Sequence, residues 1–220
     1  MYIRPFESNY PVGHAAVVIS QIQREIDRML EKTRKNVEQS YDAVLAGDAG
    51  RLEEIQERED YIDYLNGEIA RYIVSLMSVE MSERDTKSIN SYYLMLGNVE
   101  RIGDHAINIA EYTQFMKKWE IRLTEEEKEE IVKMKEISRQ TLEALSLEDE
   151  TKSAEILARV SGGEKEIDEM QKKYLKRQIK RAKKGESKAE CGIMFSEMLT
   201  DFERIGDYAL NVAQLYDEMA

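Results

Sequence analysis

The chain of 220 residues predicts an all-α fold of six helices, arranged as two tandem three-helix bundles, and three observations carry that prediction. The first is proline usage. Pro5 and Pro11 both lie at the start, so from Val12 to Ala220 no ring and no missing N–H forbids helix. The second is periodicity, because apolar residues recur at steps of three and four through long stretches. The third is repetition. Glu100-Arg101-Ile102-Gly103-Asp104 returns 103 residues later as Glu203-Arg204-Ile205-Gly206-Asp207. Ala106, Asn108, Ile109 and Ala110 follow the first copy; Ala209, Asn211, Val212 and Ala213 follow the second.

Each element can be justified in turn. Residues 1–11 read as an extended lead-in. The first helix is expected from about Val12 to Ala46, on Val18, Ile22, Ile26, Met29 and Leu30, with Gly47 and Gly50 bracketing a turn. A second helix, about 49–80, carries Leu52, Ile55, Ile62, Leu65, Ile69 and Ile73. Ser82 with Asp85 three residues on marks the start of the third, about 83–118, which carries the first pentapeptide. Trp119 to Leu123 connect the halves. Thr124 with Glu127 forms a capping box opening the fourth helix, about 125–147. The fifth, about 149–183, contains Gly162-Gly163 as an expected weak point or kink, and Gly185 ends it. Ser187 with Glu190 reads as a second capping box, opening the sixth helix over about 188–218.

The repeat extends beyond the pentapeptide. Glu25, Ile26 and Met29 match Glu130, Ile131 and Met134, and Leu52, Ile55, Glu59, Ile62 and Asp63 match Leu157, Val160, Glu164, Ile167 and Asp168, all at an offset of 105. Residues 1–118 are thus expected to form the first bundle with its lead-in, and residues 119–220 the second. Long helices with short connections favour up-down packing.

Composition narrows the function. A net charge of −12 and pI near 4.9 disfavour a general nucleic-acid binder, which needs a positive face, and suit cations. The single cysteine, Cys191, forms no internal disulfide and has no cysteine partner for zinc, which fits a reducing compartment. No signal peptide and no run of 18 apolar residues is evident, so a cytoplasmic chain without a membrane span is expected. The basic run Lys172, Lys173, Lys176, Arg177, Lys180, Arg181, Lys183, Lys184 reads either as a solvated helix face or as a surface for an anionic membrane or phosphate-rich partner.

Glu100 and Asp104, four apart, share one helical face, as do Glu203 and Asp207. Asn108 and Glu111 continue the first row, Asn211 and Gln214 the second. The middle helix of each half adds a second pair, Glu59 with Asp63 and Glu164 with Asp168. If the faces meet, four carboxylates converge in each half, which requires cations or raised pKa values. Oxygen-only ligation suits magnesium, calcium, manganese or iron. The competing reading is a solvated face, since a chain with 44 acidic residues shows such pairs by composition alone. Gly103 and Gly206 each cost a helix roughly 1 kcal/mol against alanine, so something approaches closely there, an ion site or a packed helix. His14 and His105 lack the Glu-x-x-His spacing of di-iron oxidases, and His105, matched by Tyr208, is expected at a surface or interface. No phosphate-cradling glycine loop and no nucleophile motif is present.

Two copies of Glu-Arg-Ile-Gly-Asp-x-Ala-x-Asn-(Ile/Val)-Ala, each ending a three-helix unit, resemble the PhoU family from about Val12 to Tyr216. The resemblance implies a non-catalytic regulator of phosphate uptake. It also implies metal clusters held by Glu59, Asp63, Glu100 and Asp104 in one half and by Glu164, Asp168, Glu203 and Asp207 in the other. The implied cofactors are divalent or trivalent ions, with iron, zinc, manganese, magnesium and calcium as candidates. Two branches are open. Pro11 before Ala15, Glu25-Ile26, Arg28-Met29 and the run from Tyr174 to Gly185 resemble the cytoplasmic C-terminal domain of bacterial sodium/phosphate cotransporters, whose membrane part would precede Met1. The alternative is a free-standing regulator of a phosphate ABC transporter and its sensor kinase. The implied partners are the phosphate transporter or its membrane domain and a sensor kinase, at the inner face of the membrane, with homodimerisation open. A metal-dependent enzyme and a helical adaptor without metal are the remaining classes.

Overall fold

The computed structural model describes residues 15–76, 81–147 and 150–219. The lead-in over residues 1–11, His14, and the expected helix ends at residues 12–14 and 77–80 lie outside the described residues. Six helices are described: α1 Ala15–Ala46, α2 Leu52–Leu76, α3 Glu83–Trp119, α4 Glu125–Ala144, α5 Ser153–Lys183 and α6 Ala189–Asp217. Single 3-10 turns, Ala49–Arg51 and Glu150–Lys152, lead into α2 and α5.

The helix ends follow from local chemistry, with two corrections to expectation. Ser82 caps α3 by accepting from the Asp85 N–H at 3.1 Å. Thr124 and Glu127 make the reciprocal capping box of α4, at 3.2 and 2.8 Å. Gly185 (φ +68°) ends α5 in a Schellman arrangement, with its N–H donating to Ala182 and that of Glu186 to Arg181. Ser187 does not cap α6. The N-cap is Lys188 without a side-chain bond, and the Ser187 hydroxyl is drawn to Gln178 and Glu127 instead. Helix α4 stops at Ala144 rather than near 147, because Leu145 and Leu147 enter the core as extended chain while Arg34 of α1 takes the Leu142 and Leu145 carbonyls.

One continuous apolar core runs through all six helices. Helix α3 packs against α1, α2 and α6, helix α6 against α3, α4 and α5, and α1 also meets α4. The centre of the molecule is therefore the α3–α6 seam, which explains the wide buried face of α3, where Val99, Ile102, Gly103, Ala106, Ile109 and Ala110 are all covered. Helices α2 and α5 flank the two sides. Helix α5 is α-helical through Gly162-Gly163, and Gly163 is a close approach rather than a weak point, because a Cβ there would collide with the Thr141 hydroxyl of α4.

Candidate metal centre

Helix α2 buries Ile55, Glu59, Ile62 and Leu65, a three-four stripe in which one member is a carboxylate. Glu59 is only 3% exposed. Its Oε2 accepts from Asn36 Nδ2 of α1 at 3.0 Å, and Asn36 is itself held by Arg58 at 2.7 Å. Its Oε1 is buried and has no hydrogen-bond partner. Gly103 makes room for this carboxylate, since a Cβ on that residue would stand 2.6 Å from Glu59 Oε1. Asp63 lies one turn further along α2 and is exposed; across from it α3 presents half-buried Glu100 and exposed Asp104. The four expected residues of the first half thus share one α2–α3 face.

The electrostatics record that proximity. Burial is the main cause that pushes Glu59 up to about 7; the Asn36 hydrogen bond opposes it, and Asp63, Asp104 and Glu100 add to it. Asp63 and Glu100 are raised too, first by burial and then by Asp104, with Arg101 partly offsetting the shift at Glu100. As the side chains stand, no group of three or more His, Cys, Asp or Glu among the described residues is placed to hold a metal ion. What the first half offers is an all-oxygen donor set, one buried orphan oxygen, and two exposed carboxylates. That set is suited to a hard cation.

The second half brings Glu164, Asp168, Glu203 and Asp207 to the corresponding α5–α6 face. Glu164 is raised by burial and then by Asp168, Asp207 and Glu203, against the lowering effect of Lys172. Here Asp168 is paired with Lys172 at 2.6 Å and Asp207 with Arg204 at 3.1 Å. Gly206 faces Ile167, whose Cδ1 would lie 3.0 Å from an added Cβ, not a carboxylate.

A model of the PhoU domain matches residues 26–113 and again residues 131–216. The chain belongs to the PhoU family. It is similar to the phosphate-specific transport system accessory protein PhoU homolog 1 of Thermotoga maritima, at 23% identity over 89% of this chain and 84% of that protein. It is equally similar to the PhoU homolog of Clostridium acetobutylicum, at 23% identity over 89% of each. Its fold matches PhoU from Pseudomonas aeruginosa (TM-score 0.83, 19% identity, 93% of this chain and 97% of that one). It also matches PhoU from Streptococcus pneumoniae (TM-score 0.79, 19% identity, 93% and 96%). Solved PhoU structures thus share the architecture built from the repeat.

The PhoU halves meet at a polar seam, which corrects the expectation for Asn108 and bears out the one for His105. Asn108 does not continue the acidic row but donates to Asp201 of α6 at 3.2 Å. Asp201 also accepts from Tyr112 at 2.7 Å and lies 2.8 Å from His105 Nδ1, which places His105 at an interface. The repeat-related bond joins Asn211 to Asn98 at 3.2 Å. The signal was present in the offset of 103, which pairs Asp201 with Asn98 and Asn108 with Asn211. Asn36, which orients Glu59, carried no such signal.

Proposed function

We propose that this PhoU chain is a non-catalytic, metal-binding accessory regulator of phosphate transport. The observation that carries the metal part is the orphan Oε1 of Glu59, buried against Gly103 beside Asp63, Glu100 and Asp104. A buried carboxylate with one unpaired oxygen is costly unless a proton or a cation completes it, and with three further carboxylates around it a multivalent cation neutralises more charge than one proton can. A bound multivalent ion would supply charge neutralisation and outward positions at which water or an oxyanion such as phosphate could sit. The phosphate part is supported by the two curated relatives, each an accessory protein of a phosphate-specific transport system. Those relatives, matched over most of their length, support the free-standing regulator over the cotransporter module. On this reading the partners are the phosphate transporter and its sensor kinase, and the chain acts in the cytoplasm. No described helix is long and apolar enough to cross a membrane.

The test is phosphate uptake in cells lacking the chain, complemented with wild type or with Glu59→Gln/Asp104→Asn. The proposal expects wild type to restore phosphate control and the double variant to fail while remaining folded. Full control by the double variant would remove the metal from the function. Metal-dependent turnover of a phosphoester by the purified chain would overturn the non-catalytic reading.

A further inference from the structure

We infer that the two PhoU repeats are not equivalent cation sites: the first half takes the multivalent ion, and the second is occupied by cations of the chain itself, Lys172 and Arg204. This inference rests on the metal-binding reading above and specifies which repeat performs it.

Repeat-matched positions carry the argument. Glu59 and Glu164 correspond, and each follows an apolar residue by four and precedes one by three. Only Glu59 is buried. Asn36 draws it inward with a 3.0 Å hydrogen bond, whereas the matching residue, Thr141, donates its hydroxyl to its own helix at Ile137. Gly103 then receives the Glu59 carboxylate, while Gly206 is filled by Ile167. The first half therefore ends with a buried, unpaired oxygen, and the second with Glu164 partly in solvent.

The cations differ in the same direction. Four residues beyond Asp168 stands Lys172, its ammonium 2.6 Å from that carboxylate; four beyond Asp63 stands Gly67, which has no side chain to play this part. Arg204 turns to Asp207 at 3.1 Å. Its counterpart Arg101 instead crosses the seam, donating to the Tyr208 hydroxyl at 3.2 Å and lying over that ring. Among the described residues, none of Glu59, Asp63, Glu100 and Asp104 forms an ion pair. At the second face two half-exposed side-chain cations, each a modest competitor, already neutralise Asp168 and Asp207, and no orphan oxygen is present; at the first face no side-chain cation competes and the Glu59 Oε1 stands unpaired.

Calorimetric titration of the chelator-stripped full chain with manganese(II), read in parallel by electron paramagnetic resonance, tests this. Wild type is expected to show one tight class of site. Glu59→Gln and Asp104→Asn are each expected to weaken it by tenfold or more, and Glu164→Gln and Asp207→Asn by less than twofold. Lys172→Gly with Arg204→Gln is expected to create a second class. Equal losses from variants in both halves, or two matched classes in wild type, would overturn the inequivalence and leave the metal reading standing. No manganese binding by folded wild type would overturn the metal reading itself. Circular dichroism of each variant separates loss of binding from loss of fold.

Discussion

Glu59 is held in a position that its neighbours only partly compensate. Burial against α3 raises its pKa from the ordinary 4.5 to about 7 in the metal-free protein. Below pH 4.5 both folded and unfolded states carry the proton. Between 4.5 and 7 the unfolded chain loses it while the native state keeps it, so stability falls as pH rises and levels above about 7. The loss is on the order of 3 kcal/mol. Urea unfolding of chelator-treated protein from pH 5 to 8 is expected to show this slope against a Glu59→Gln reference, and parallel curves for the two would refute it. Two glycines of α3 give a companion prediction. Gly97 faces open space, so Gly97→Ala should stabilise by about 0.5–1 kcal/mol. Gly103→Ala gains the same helix propensity but drives a methyl onto the Glu59 carboxylate, so it should destabilise by about 1–2 kcal/mol net. Thermal unfolding of the pair checks both signs, and stabilisation by Gly103→Ala would contradict the close approach. The sequence revealed the acidic residues and the special glycine. It could not reveal that Glu59 is buried and Glu164 is not, because both sit on the same stripe and the difference comes from Asn36 and Thr141 on another helix.

Helix α5 shows where pattern reading reaches and where it stops. Its basic run divides in the structure. Lys173, Lys176, Lys180 and Lys183 are exposed, while Arg181 is 5% exposed and runs inward. There it meets buried Glu130 at 2.7 Å and Glu127 at 3.6 Å, and lies over the Phe195 ring, tying α5 to α4 and α6. Arg177 adds a contact to Glu130 at 3.1 Å. A signal for this existed, since Val160, Ile167, Tyr174 and Arg181 are spaced by seven and the first three are core residues. A single solvated face is therefore the wrong description of the run. Removing one partner of a buried ion pair strands the other, so Arg181→Ala is expected to cost about 3–5 kcal/mol. Denaturant unfolding measures it, and a loss below about 1 kcal/mol would show that the pair is not load-sharing. Lys173→Ala, on the exposed face, serves as the near-neutral reference.

The whole molecule follows from the duplication. Two copies of a three-helix unit place α3 and α6 side by side, and one apolar core crosses between them. This much was legible, because proline absence, periodicity and a constant offset all point to the same architecture. The α3–α6 contact itself was not legible, since its chemistry depends on pairs far apart in the chain, such as Tyr112 with Asp201. A shared core predicts that the halves unfold together. Fluorescence from the single tryptophan, Trp119, and far-ultraviolet circular dichroism should give coincident curves. The seam also shows how a duplicated chain becomes asymmetric: Asp201 and His105 replace Asn98 and Tyr208, and with them Arg101 and Arg204 turn to different partners. The central claim is that the α2–α3 face of this PhoU chain holds a multivalent metal ion. It is tested most directly by elemental analysis of protein purified without chelator, comparing wild type with Glu59→Gln/Asp104→Asn. The account predicts bound metal in near-stoichiometric amount in wild type and its loss from the folded double variant; wild type free of metal, or a double variant that retains it in full, would contradict the claim.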